Sequence, residues 1–394
     1  MISKPIVSIA GKQGPFKNVV SALEKIDLSV VKNKSVLIKP NAGRKALPER
    51  GYNTHPLAIA AVIEVINKYK PSKIAIGESP LIGIKTFEAF ERSGITEIAN
   101  RYGIELIDFD ATPPVKKDIK NSRILENTKI CSAVCEADFL ISVPVAKTHM
   151  HTGVTLGIKN MKGCLYRHEK VRYHQLEYKE KDYPEKTLDS AISDLATILL
   201  PDLTVVDGYI GMEGLGPSGG EPIKSDFALA SLSPMGADIY ACTLMGIDPS
   251  SIPHLKLISE RNNLSIDLSS YSVYPENFQQ FIHPYKEPPT NISIEYEDVV
   301  VYDCESCSSC LSTVMLFLKR FKNSMGPYSL DDGKLHIAIG KGLNHTKHGT
   351  VFVGNCARNM KDNGIFVPGC PPVATRIFEA ITGKEPNENE PEIE

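Results

Sequence analysis

The sequence predicts an α/β protein, with a mostly parallel, doubly wound sheet followed by a smaller α/β unit that carries cysteines. Three observations predict it. Apolar runs of strand length alternate with amphipathic runs of helical period to about residue 265. A Tyr- and Pro-rich stretch then interrupts the pattern. Beyond it, five of the nine cysteines crowd into the last quarter of the chain.

Taking the elements in order, Phe16, Val19, Val20, Leu23 and Ile26 recur at helical spacing, and Ser35 to Lys39 is a strand ended by Pro40. Pro56 starts a second helix, LAIAAVIEVINKY, because a missing N–H costs nothing in a first helical turn. Strand KIAIGES, a helix around Thr86 to Phe90 and strand Glu105 to Asp110 follow. Phe139 to Val145 and Leu203 to Asp207 read as buried strands, separated by a helix carrying Leu188, Ile192, Leu195 and Ile198. Tyr271 to Thr290 has no period and reads as a connector. The C-terminal unit then offers strand VVVYD, a helix from Ser312 to Phe321, strands HIAIG and TVFVG, and a helix near Ala374 to Ile381. The expected division is 1–290, 291–384 and a disordered acidic tail, 385–394.

At 394 residues, 42% hydrophobic and 23% charged, the chain has material for two cores. A net charge of -3 gives no basic footprint, which argues against nucleic acid as a partner. The start, MISKPIVSIAGK, lacks a signal peptide's apolar core, and no later run reaches the ~18 apolar residues of a spanning helix. A cytoplasmic protein without a membrane span is expected.

Cys304, Cys307 and Cys310 are spaced CxxCxxC, Cys356 sits in VFVGNCARN and Cys370 in VPGCPP. Each follows a strand-like run. Strand ends of a parallel sheet share one edge, so separate segments can deliver thiolates to one place. Such a set suits a 4Fe-4S cluster or tetrahedral zinc. Zinc ribbons pair two short knuckles, whereas the partners here are distant single cysteines, which tilts the choice toward iron–sulfur. Buried free cysteines would be the plainer reading, but five beside Gly and Pro turns are hard to justify as core.

VFVGNCARNMKDNGIFVPGCPP resembles the cluster-bearing end of the small subunit of respiratory complex I and of nickel–iron hydrogenases. The resemblance implies that Cys356 and Cys370 are ligands. It makes Cys307 and Cys310 the best match for the first pair, with Cys304 surplus or alternate. An anaerobe's protein is the natural carrier.

In the larger domain, LIKPNAG (Lys39, Asn41), GESP (Glu78), VPVAKTHMH (Lys147, His149, His151) and VDGYIGMEG (Asp207, Glu213) fall after predicted strands. Ligands of open parallel sheets bind beyond strand carboxyl ends, so these segments should line one cleft. Lys39, Lys147, Lys159 and Lys162 would give it charge for a carboxylate or phosphate, with Lys147 expected to face solvent. Lys147, His149, Lys159 and Asp207 are the catalytic candidates. Lys39, Asn41, Glu78 and Glu213 are the ligand-holding ones. GLGPSGG satisfies GxGxxG at Gly214, Gly216 and Gly219, but no helix follows directly, so it reads as a loop able to close over a ligand.

VLIKPN, PVAKTH, GIKNMKG, VDGYIGMEGLGP and MGIDP resemble the domain-of-unknown-function 362 family over most of residues 4–260. That resemblance implies a fold and a motif set but no reaction. Its architecture is similar to that of nickel-dependent lactate racemases, which makes His149 and Lys159 counterparts of the histidine and cofactor-bearing lysine there. The leading function is a redox protein coupling the cluster to a small anionic ligand or a redox partner protein. The alternatives are a non-redox isomerase or racemase with a structural cluster, and a cluster or metal assembly protein.

Overall fold

The computed structural model describes residues 4–178, 183–288, 295–296 and 298–385. The expected domain boundary at 290 and the acidic tail from 386 lie outside the described residues.

The strands of the first unit are β1 (Ile6–Gly11), β2 (Ser35–Pro40), β3 (Lys73–Glu78), β4 (Glu105–Asp108), the hairpin β5 (Pro114–Asp118) and β6 (Asn127–Cys131), β7 (Phe139–Val143), β8 (Val145–His149), β9 (Gly153–Thr155), β10 (Leu203–Glu213), β11 (Glu221–Ser231) and β12 (Ser272–Tyr274). All but the hairpin join a 10-stranded sheet in the order β12-β1-β11-β10-β7-β2-β3-β4, with β8 beside β10 and β9 beside β8. From β10 through β4 neighbouring strands are parallel, while β11 runs antiparallel to both β10 and β1. Helices cover both faces. Helices Pro15–Leu23, Pro56–Asn67 and Ile95–Tyr102 bury Val19, Ile59, Ile63 and Ile98 on one side. Helices Thr187–Ala196, Pro234–Leu244 and Pro253–Asn262 bury Ile192, Ile239 and Leu255 on the other. This is the doubly wound architecture read from the alternating pattern.

The second unit has β13 (Glu295–Tyr296), β14 (Val299–Asp303), β15 (Leu335–Ile339), β16 (Thr350–Val353) and β17 (Gly364–Val367) as a 5-stranded sheet in sequence order. β14 through β17 are parallel. Helix Ser308–Phe321 packs with helix Ala374–Thr382 through Phe321 and Phe378, whose rings lie 4.6 Å apart. The same apolar cluster includes Tyr52, Met150 and Met212 of the first unit, and it seats the start of helix Ser308–Phe321 over that unit.

Three expectations need correcting. The stretch read as a connector contributes β12, paired with β1, and buries Tyr271, Phe278 and Tyr285. Those anchors are irregularly spaced, so no period betrayed them. VDGYIGMEG is the second half of the long β10 and not a loop after it, because β11 pairs with it as far as Glu213. VAKTH is likewise a strand of its own, β8.

Candidate functional site

The strand order reverses between β2 and β7: β3 and β4 continue one way and β10 the other. Open sheets part at such a point, which leaves a crevice beyond the strand ends. Here it forms a cavity of about 170 Å³ lined by Lys39, Arg44, Lys147, Lys159, Lys162 and Lys170, with Glu78 as the one carboxylate on its wall among the described residues.

Each cation is held by a different element. Lys39 ends β2 at 1% exposure and donates to Glu78 Oε2 (2.6 Å), Asn160 Oδ1 (2.9 Å) and the Pro40 carbonyl (2.8 Å). Glu78 also accepts from the amides of Ala42 (3.0 Å) and Ser79 (2.8 Å), so its oxygens are occupied. Lys147 donates to Asn41 Oδ1 and the Tyr52 carbonyl. Asn41 is fixed through its own amide, which donates to Thr54 Oγ1 (2.7 Å).

Lys159 rides on the short helix Gly157–Asn160, whose start is tied down by Asp238 accepting from the Gly157 and Ile158 amides (2.8 and 3.0 Å). Lys162 follows in the turn Met161–Cys164 and meets His174 Nε2. Gly163 admits this segment against the β2 and β3 ends, since a Cβ there would lie 2.6 Å from both Glu78 Oε1 and Lys39 Nζ. Lys170 donates to Ser79 Oγ and the Pro80 carbonyl and pairs with Asp110 (3.1 Å). Arg44 Nη2 donates to Ser218 Oγ (2.6 Å) and Tyr52 Oη to the Ser218 carbonyl (2.7 Å), which holds the 214–220 loop at the cavity rim.

Crowding cations in a dry site disfavours their charged forms. Burial, then Arg44, pushes Lys147 down to about 7. Burial and then Lys162 and Lys147 push Lys159 well below the usual lysine range, and burial then Lys170 bring Lys162 to about 7. Burial lowers Arg44 to about 10.

A second cavity of about 130 Å³ adjoins the first, sharing Arg44, Lys159, Lys162 and Ser218. His149, His174, Ser309 and Pro371 complete much of its wall. His149 Nδ1 accepts from the His151 and Thr152 amides (3.1 and 3.3 Å), which fixes the neutral ring with its proton on Nε2. Burial first, then Lys159, holds His149 well below its ordinary range.

The cysteine-bearing segments of the C-terminal unit reach this cavity through Ser309 and Pro371, with no cysteine among its described wall residues. Cys307 precedes helix Ser308–Phe321, Cys310 lies in its first turn, and Cys356 and Cys370 follow β16 and β17. The Cys310 thiol donates to Cys307, drawing it down to about 6 against its burial, helped by the amides of Cys310 and Ser309 and the charge of Lys162. Burial raises Cys370, and Cys307 and Cys356 raise it further, while Gln175 Nε2 donates to its sulfur (3.2 Å). Cys304 packs elsewhere, with Leu343, Phe352 and Ala357. Among the described residues, no three His, Cys, Asp or Glu side chains gather closely enough to hold a single metal ion.

Several candidates stand differently from expectation. Lys147 is not solvent-facing: it is 4% exposed, because β8 runs beneath the residue 41–54 segment. Asp207 is absent from both cavity walls. Its oxygens accept from the His55 and Tyr209 amides (2.7 and 3.1 Å), and burial raises it to about 6. Glu213, at the end of β10, accepts from the Lys286 amide (2.8 Å), also away from the cleft. Arg44, Tyr52, Asn160, Lys170, His174 and Ser218 were not singled out in the sequence.

A protein-family model described as a domain of unknown function, DUF362, matches residues 36–243. A thylakoid-associated protein of Synechocystis sp. is 26% identical over 218 residues, 55% of this chain, and the match spans 65% of that relative. Among solved structures, the lactate racemase apoprotein from Thermoanaerobacterium thermosaccharolyticum superposes with a TM-score of 0.41 at 14% identity, over 63% of this chain and 58% of its own. A protein from Thermotoga maritima gives 0.37 at 13%, over 62% and 58%. The family match takes in every residue lining the first cavity and covers more than half of the chain, which therefore belongs to the DUF362 family.

Proposed function

We propose that this is an iron–sulfur protein, cytoplasmic and redox-active, that couples a cluster on Cys307, Cys310, Cys356 and Cys370 to a small anion held by the neighbouring lysines or to a redox partner protein. The observation that carries this reading is Lys162, which lines the anion cavity and acts electrostatically on the Cys307 thiol. The chemistry of the donors is what supports the group: all four are thiols, and Cys307, Cys370 and Cys356 each act electrostatically on Cys310. The likeness of the Cys356 and Cys370 segments to cluster-bearing small subunits supports it further.

A 4Fe-4S cluster, when bound, would exchange one electron at a time with a partner or ligand. The chain's own residues supply the surroundings. Gln175 donates to the Cys370 sulfur, Lys162 sets positive charge beside Cys307, and the neutral His149 presents an Nε2 proton to the second cavity. Among the described residues no helix is long and apolar enough to cross a membrane.

Anaerobic purification or reconstitution tests the reading. Brown protein with about four iron and four sulfide per chain is expected. Cys356→Ser and Cys370→Ser should lose the cluster, whereas Cys304→Ser, whose thiol packs in a separate apolar cluster, should keep most of it. Colourless protein with stoichiometric zinc, or equal loss in all three variants, would overturn it.

A further inference from the structure

We infer that the cation-lined cavity takes a phosphoryl dianion carrying at most a short organic body, an inference that rests on the anion-binding half of the function proposed above. Charge decides the first part. Lys39 is spent on Glu78 and Lys170 on Asp110. Arg44, Lys147, Lys159 and Lys162 have no carboxylate within ion-pair distance among the described residues. Their partners are neutral: Ser218 Oγ for Arg44, Asn41 Oδ1 and the Tyr52 carbonyl for Lys147, Thr155 Oγ1 at 3.2 Å for Lys159, and His174 for Lys162. Buried cations without counterions are costly, which is why Lys147, Lys159 and Lys162 are pushed toward their neutral forms, and a monoanion could restore the charge of only one of them. A ligand with more than one negative charge can restore more.

Geometry decides the second part. Planar carboxylates are best met by the guanidinium fork, two N–H groups to two oxygens. Among the described residues the wall has a single arginine, and one arm of its fork is committed to Ser218. The remaining donors are ammonium point charges arriving from β8, from helix Gly157–Asn160 and from the turn after it. Point charges converging from separate directions suit oxygens spread over a tetrahedron. Size limits the rest, because about 170 Å³ falls below the ~300–1,000 Å³ of pockets for drug-sized ligands.

Isothermal titration of the full-length chain tests this, with inorganic phosphate and 2-phosphoglycolate against acetate and malonate at matched ionic strength. The phosphoryl probes should bind at least about tenfold tighter than malonate, and Lys159→Met should weaken them at least about tenfold, a loss of about 1.4 kcal/mol. If Lys159→Met does not fold, Arg44→Gln is read in its place against the same threshold. Malonate binding as tightly as phosphate, no heat from either phosphoryl probe, or affinity unchanged in the variant would overturn the inference. The titration is run on iron-free and on iron-loaded chain. Phosphate binding by a chain that never takes up iron sinks the redox reading alone, and iron-loaded chain that ignores both phosphoryl probes sinks this inference alone.

Discussion

Lys147 shows how a single residue links charge, burial and stability. The unfolded chain leaves it at the ordinary lysine value of about 10.4, while the folded site pushes it to about 7. Between those values the unfolded state binds more protons, so folding stability must rise with pH across that window. From pH 7 to 8.5 this one group should contribute roughly 1–2 kcal/mol of rising stability. The buried thiols act in the opposite sense only above their own ordinary range of about 8.5. Urea unfolding of ligand-free wild type and Lys147→Met at both pH values is the measurement, and the variant should show a smaller gain. Equal gains would mean that Lys147 is not the strained group. Much of this site could be read from the sequence: Lys39, Asn41, Glu78, Lys147 and Lys159 all reach the cleft region. Asp207 misled because it too follows a strand-like run, and only the fold shows its oxygens taken by backbone amides. Arg44, Tyr52 and Ser218 were hidden because their importance comes from contacts across the chain, between residues more than a hundred and fifty positions apart.

At the scale of elements, the segment from Gly157 to Cys164 is the most constrained piece of the site. It carries Lys159, Asn160 and Lys162, and it reaches the strand ends only because Gly163 has no side chain. Glu78 and Lys39 beside it are buried and hydrogen-bonded to each other and to backbone, so neither can yield to a new methyl group. Gly163→Ala should cost about 1–3 kcal/mol, as overpacking of a filled interior does, and should weaken phosphate binding as well. Chemical denaturation at matched pH checks it, and wild-type stability would show that the β2 and β3 ends can shift. Parallel strands were legible as apolar runs bounded by turns. β8, β9 and β11 were not, since their pairing depends on where β10 continues past Asp207. β17 was read only as the strand-like run ahead of Cys370, and it sets Cys370 beside Cys356 through the bond from the Asn355 amide to the Gly369 carbonyl (2.8 Å).

At the scale of the whole molecule, two units meet at the second cavity, where His149 and His174 of one unit face Ser309 and Pro371 of the other. The family match covers the cation-lined unit and ends at residue 243, ahead of Cys304, Cys307, Cys310, Cys356 and Cys370. Helix Ser308–Phe321 makes the junction, packing against Tyr52, Met150 and Met212 and donating from Lys319 Nζ to the Gly220 carbonyl (2.6 Å). Composition divided the chain into these two units but could not show that they share a site, since an apolar helix face does not name its partner. The central claim is that thiols and lysines work as one site, linked by the charge of Lys162 acting on Cys307. A redox titration of the iron-loaded chain at pH 6, below the value of about 7 at which Lys162 loses its charge, tests this most directly. Removing a cation beside a centre that gains an electron makes reduction harder, so Lys162→Met should show a lower midpoint potential than wild type. An unchanged potential would contradict the account.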